Sequence, residues 1–170
     1  MGHRLAVLAP LCWFLSNGNQ MNPKVNRILI TKGDPNDYTK IGPRLYRMNG
    51  DGEIKVFTDI GVFTFRWKKG FVTDGRSGGV IVDPIFPHWG KRLEKALVIM
   101  HDILFHDFDI SFETANNLLR NGIKWIGYSW LRYTLVHKGV STWIARKAFG
   151  CKTDKEWANK KLCDCRWDAK

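Results

Sequence analysis

The spacing of apolar residues changes once along this chain, and that change restricts the fold more than any single motif. From Lys24 to Thr31 apolar residues alternate through Val25, Ile28 and Ile30, which predicts a strand. A stretch rich in Gly, Pro, Asp and Asn from Lys32 to Pro43 reads as a loop. Arg44 to Met48 and Glu53 to Thr58 flank Asn49-Gly50-Asp51-Gly52, a sequence that supplies the positive φ angles of tight hairpins. Ile60-Gly61 then turns the chain into Val62 to Trp67, where Phe63, Phe65 and Trp67 share one face and Thr64 and Arg66 the other. These segments predict a three-stranded antiparallel meander.

Thr73 to His88 is punctuated by Asp74-Gly75, Ser77-Gly78-Gly79, Asp83-Pro84 and Pro87, and reads as a glycine-rich loop. From Lys91 the period becomes helical. Leu93, Ala96, Leu97, Met100 and Leu104 form one apolar face, ending near His106 to Asp109. Ser111 is placed to cap a second helix that buries Phe112, Ala115, Leu118, Leu119, Gly122 and Ile126. A third runs from Ser129 to Gly150, with Gly139 the candidate break. The expected class is α+β: a small antiparallel meander, a glycine-rich loop, then three packed helices.

At 170 residues one domain with a real core fits, and two do not. Residues 21–150 are read as that domain, 1–20 as an apolar leader or extension, and 151–170 as a basic tail carrying tryptophan and cysteine. The leader imitates a secretory signal, yet Pro10 interrupts it and no small-x-small site follows cleanly. Its eleven-residue run, Leu5 to Leu15, falls short of the roughly twenty residues that span a bilayer. A translation start at Met21, or packing of the leader on the core or a neighbouring subunit, are the other readings. Cys12, Cys151, Cys163 and Cys165 lack paired zinc spacing. A Cys151 disulfide to the 163/165 pair would need an oxidising compartment, and reduced thiols are the default in a bacterial cytosol.

The formal charge of +11 points to negative partners such as nucleic acid, anionic headgroups or acidic wall polymers. Between Ser111 and Gly150 the bases Arg120, Lys124, Arg132, Lys138, Arg146 and Lys147 face Glu113 alone. A solvated helix face and an anion-binding surface both fit that excess. No helix-turn-helix, zinc or RNP pattern is legible, which leaves non-specific phosphate binding as the nucleic-acid option. Trp125, Trp130, Trp143, Trp157 and Trp167, interleaved with bases, suit stacking on bases or sugars, although at helical spacing such residues more often belong to cores and interfaces.

The chemistry-bearing stretches are Gly70-Phe71-Val72-Thr73-Asp74-Gly75-Arg76-Ser77 and His101-Asp102. Carboxylate, hydroxyl and imidazole are the groups that bind metals or move protons. Consecutive His101 and Asp102 diverge by about 100° on a helix, so both can border one pocket without facing one another. The pair resembles the metal-binding dyad of HD-type phosphohydrolases, which needs further histidines and a distant aspartate. His106, Asp107, His137 and Asp74 are the candidates, at spacings that match poorly. Ser77 sits in a Gly-x-Ser-x-Gly string without the helix such an elbow requires, and the same glycines with Arg76 give a weak phosphate cradle. The bland alternative is a latch in which Asp74 caps a turn or helix and His101 hydrogen-bonds it, locking loop to helix.

Phe71-Val72-Thr73-Asp74-Gly75-x-Ser77, His101-Asp102-Ile103-Leu104-Phe105, Ser111-x-x-x-Ala115 and Ala145-Arg146-Lys147-Ala148-Phe149-Gly150 together resemble the small phage and prophage proteins known as domain of unknown function 1353. The resemblance spans roughly residues 45 to 150. It implies a phage genome as source and a small mixed domain, and it carries no settled activity. The family wording is near Thr-Asp-Gly-Ala-Ser-Ile-Pro, His-Asp-x-Leu-Tyr and Ala-Asp. Here Arg76 replaces the Ala, Gly78-Gly79 the Ile-Pro, and Asn116 the final Asp, which keeps an oxygen ligand but no titrating group.

The expected function is that of a phage-encoded accessory or virion-associated protein, in the virion or host cytoplasm. It docks onto another phage protein or an acidic polymer, while Asp74 and His101 hold the loop. The competing expectation is a hydrolase of cell-wall or phosphate-bearing substrates, with Asp74, His101 and Asp102 as metal ligands or acid/base groups and Arg76, Ser77 and Asn116 as binding residues. Non-specific nucleic-acid binding through the basic helices is the third. A membrane is not an expected partner, and the sequence names no cofactor or metal.

Overall fold

The structure of this chain, a computed structural model, describes residues 20–43, 45–74, 91–106, 110–150 and 153–170. In chain order the elements are β1 (Val25–Lys32), β2 (Tyr38–Gly42), β3 (Leu45–Met48), β4 (Gly52–Thr58), β5 (Gly61–Trp67), β6 (Val72–Thr73), α1 (Arg92–His106), α2 (Phe112–Trp125), α3 (Trp130–Val140), α4 (Trp143–Ala148), α5 (Asp154–Lys160) and β7 (Cys163–Ala169). Six strands followed by five helices, with β7 closing the described chain, make the class α+β, as the change of period implies.

Two antiparallel sheets form, one ordered β1-β4-β5-β7 and the other β2-β3-β6. In β4 and β5 the alternation buries Ile54, Val56, Phe63, Phe65 and Trp67 on one face. Against that face lie Ala96, Leu97, Ile99, Met100, Ile103 and Leu104 of α1, all within one hydrophobic core. The β4–β5 hairpin turns at Asp59-Ile60, where Gly61 takes φ 150°.

The hairpin expected over residues 44–58 does not form. β3 pairs with β2 and β6, whereas β4 pairs with β1 and β5, so Asn49 to Asp51 carries the chain from one sheet to the other. The glycines that suggested a primed turn do not adopt it, since neither Gly50 nor Gly52 has positive φ. Asn49 is instead bound to the loop before β2, its N–H donating to Asp37 O at 3.0 Å and its side chain to Asp37 Oδ1 at 3.1 Å. β2 itself lies where a loop was expected; it is short and mostly exposed, so it shows no buried stripe.

Ser111 caps α2 as expected, accepting the Thr114 N–H. The third helix is broken at Ser141-Thr142 rather than Gly139, because Thr142 accepts the Ala145 N–H and starts α4. The stretch set apart as a tail belongs to the fold. Thr153 and Glu156 form a capping box that starts α5, and β7 then pairs along the length of β5, from Gly61↔Ala169 to Trp67↔Cys163.

Gly52 stands opposite Trp67 across the β4–β5 ladder, and a Cβ there would overlap the indole ring, which is itself 2 % exposed. Gly52→Ala is therefore expected to destabilise the fold by about 2–3 kcal/mol through overpacking, read as a lowered melting temperature with the far-ultraviolet spectrum retained.

Candidate functional site

α1 sends two consecutive polar side chains in different directions, as helix geometry requires. His101, 2 % exposed, turns toward α2, and its Nε2–H donates to Asn116 Oδ1 at 2.9 Å. Its ring also lies 4.5 Å, centroid to centroid, from Phe105. Asp102, also buried, turns toward β6, where its Oδ2 accepts the Thr73 hydroxyl and the Asp74 N–H, the latter at 3.2 Å. The loop is therefore joined to the helix through Asp102 and not through the imidazole of His101 as expected. Asp74 is exposed.

The electrostatics follow from burial. His101 is pushed down to about 4 by desolvation, with the Asn116 hydrogen bond opposing. Asp102 is raised well above the usual carboxylate range, first by desolvation and then by the negative charge of Asp74, against the Thr73 and Asp74 hydrogen bonds. Around neutral pH the imidazole is accordingly uncharged. Asn116 is 1 % exposed and its Nδ2 has no hydrogen-bond partner among the described residues.

Between α1, α2 and α3 lies a cavity of about 20 Å³, space for about one water, with Glu94, His101 and Asp102 on one side and Leu119 and Val136 on the other. Glu94 is buried there and accepts the Tyr128 hydroxyl at 2.5 Å. Among the described residues no group of three or more His, Cys, Asp or Glu side chains is gathered to hold a metal ion. His106 ends α1 beside α5, and His137 lies on α3. Arg76, Ser77, Asp107, Cys12 and Cys151 lie outside the described residues.

A second set of contacts to β6 had no signal in the sequence. The Asn159 side chain accepts the Val72 N–H at 2.8 Å and donates to Val72 O at 2.9 Å, as a neighbouring strand would. Its Nδ2 also donates to His106 Nε2 at 2.9 Å, so that nitrogen is an acceptor and the ring neutral, in accord with a His106 shifted down by burial. A lone asparagine among charged residues announces nothing of this.

Residues 52–140, just over half of the chain, match the family model described as protein of unknown function (DUF1353). The chain belongs to this family. No curated protein and no solved structure matches it. Thr73, Asp74, His101, Asp102 and Asn116 of this DUF1353 protein all fall within the matched span, whereas Asn159 falls beyond it.

Two measurements test these contacts. Asn159→Ala leaves both Val72 backbone groups without their side-chain partner and is expected to cost about 2 kcal/mol, with faster hydrogen exchange at the Val72 amide. The pH dependence of melting tests the buried pair. The lowered His101 value makes its contribution complete above pH 6.5 and lost as pH falls toward about 4, on the order of 3 kcal/mol. The raised Asp102 value acts oppositely, its contribution falling as pH rises above the ordinary carboxylate range. Asp102→Asn removes the opposing trend, so its melting temperature should climb more steeply from pH 4 to 6.5 than that of the parent chain.

Proposed function

We propose that this DUF1353 protein is a phage accessory or virion-associated protein that works by docking, and that its His-Asp motif is a structural latch. The observation that carries the reading is the use made of the motif. His101 is committed to Asn116, and one Asp102 oxygen receives both Thr73 and Asp74, leaving the imidazole sealed from solvent. A catalytic dyad must present an atom to a substrate, and 2 % exposure of His101 works against that. The partner is another phage protein or an acidic polymer, in the virion or host cytoplasm, attracted by the +11 charge.

One observation favours a second reading, acid/base hydrolysis. The Asp102 carboxyl, its titration raised by burial and by the neighbouring Asp74, stands beside a second carboxyl, a pairing from which acid and base roles can divide. His101→Ala separates the two. Under the latch reading the melting temperature falls, by about 2–4 kcal/mol of stability for a buried side chain and its hydrogen bond, and salt-sensitive binding to an anionic wall polymer persists below the transition. Loss of hydrolysis of a phosphodiester or wall substrate, with melting unchanged, would overturn it.

A further inference from the structure

We infer that the corner between α2 and α3 seats this protein on an anionic phospholipid surface. The inference keeps the docking reading above but goes beyond the partners named there, assigning this corner a lipid surface. Trp130 and Leu131, adjacent in the first turn of α3, are 67 % and 59 % exposed, and Trp125, in the last turn of α2, is 38 % exposed. Burying large apolar side chains is the general rule, and two adjacent ones left in water at the start of a helix point to a contact site. Among the described residues, Gly127, at φ 89° in the turn between the helices, has nothing within 4 Å of the place a Cβ would occupy, so the turn is open there.

The turn is anchored from beneath, so the knob is presented on a fixed base. Tyr128 hydrogen-bonds the buried Glu94, and the Trp125 Nε1–H donates to Asn26 O at 2.8 Å. Exposed Lys124 precedes Trp125, and exposed Arg27 follows Asn26. From Thr114 to Thr153 the chain contains no Asp or Glu, while Arg120, Lys124, Arg132, Lys138, Arg146, Lys147 and Lys152 are all basic. Glu94, which Tyr128 of this turn meets, is buried.

The chemistry selects the partner. Indoles prefer the headgroup boundary, a leucine beside one adds apolar insertion, and flanking cations meet anionic lipid. Nucleic acid would stack on Trp130 but gains nothing from Leu131. No helix among the described residues is long and apolar enough to cross a membrane, so the contact is peripheral.

The test uses the full chain and sedimentation with vesicles of phosphatidylcholine alone or with one third phosphatidylglycerol. Binding is expected only with phosphatidylglycerol, to weaken as salt rises, and to drop about tenfold or more in the double variant Trp130→Ser with Leu131→Ser, at unchanged melting temperature. Lys124→Glu, which spares the apolar knob, should lower binding about fivefold or more, since each base near the surface counts for about that factor. Absence of binding to phosphatidylglycerol vesicles at low salt overturns the inference, as does full binding by the double variant. Binding to duplex DNA or to an acidic polymer with no vesicle binding removes this inference and leaves docking standing. Binding to none of the three removes both.

Discussion

The carboxyl of Asp102 joins the two layers of this fold. β6 contains only two residues and pairs with β3 through Tyr46↔Thr73 and Arg47↔Val72, too little to hold a segment in place alone. Its other contacts come from side chains. Asp102 takes the Thr73 hydroxyl and the Asp74 N–H, and Asn159 supplies to Val72 the donor and acceptor that a further strand would have supplied. Burying an ionised carboxylate at such a join is costly, and the raised titration of Asp102 is the consequence. The Thr73 and Asp74 hydrogen bonds favour the ionised carboxylate, and burial together with the charge of Asp74 outweighs them.

The neighbouring His101 obeys the same constraint from the other direction. A buried imidazole with a neutral partner has nothing to stabilise a positive charge, so it stays unprotonated down to about 4. An aspartate at 116 would supply a counter-charge and bring the pair toward a protonated imidazole. The asparagine gives a neutral hydrogen bond and leaves its amide NH2 without a partner among the described residues. That orphaned donor is a real penalty, of about 1–3 kcal/mol, against a site otherwise well satisfied.

The parts of the structure legible in the sequence are those fixed by local pattern. Alternation through Val62 to Trp67, helical spacing from Leu93 to Leu104 and the Ser111 cap each depend on neighbours a few residues away, and each appears as read. Pairing was not legible, because it is decided at long range. Asn49-Gly50-Asp51-Gly52 has the composition of a hairpin turn, but competition for β3 by β2 and β6 sends the chain elsewhere. β7 does alternate, with Cys163, Cys165 and Trp167 half-buried between exposed Asp164, Arg166 and Asp168, yet mixed charges conceal a strand in what reads as a tail. For the site, the motif residues were visible and their partners were exchanged. Two adjacent helical positions look alike in sequence, and only the packing of α1 against both β6 and α2 decides which one meets the loop.

Charge is distributed by the same layering. On the outer face of the larger sheet Arg66 is held by Glu53 at 2.7 Å and Asp164 at 3.3 Å, and Arg166 by Asp168 at 2.8 Å, so cross-strand and neighbouring acids offset the bases there. From Thr114 to Thr153 there is no such supply, since that stretch is free of acids and Arg146 must reach Glu113, at the start of α2, for an ion pair. Each exposed pair is weak by itself, and the acid-free stretch from Thr114 to Thr153 carries Arg120, Lys124, Arg132, Lys138, Arg146, Lys147 and Lys152. A run of bases without acids makes a local positive field that the ion pairs on the sheet face do not offset.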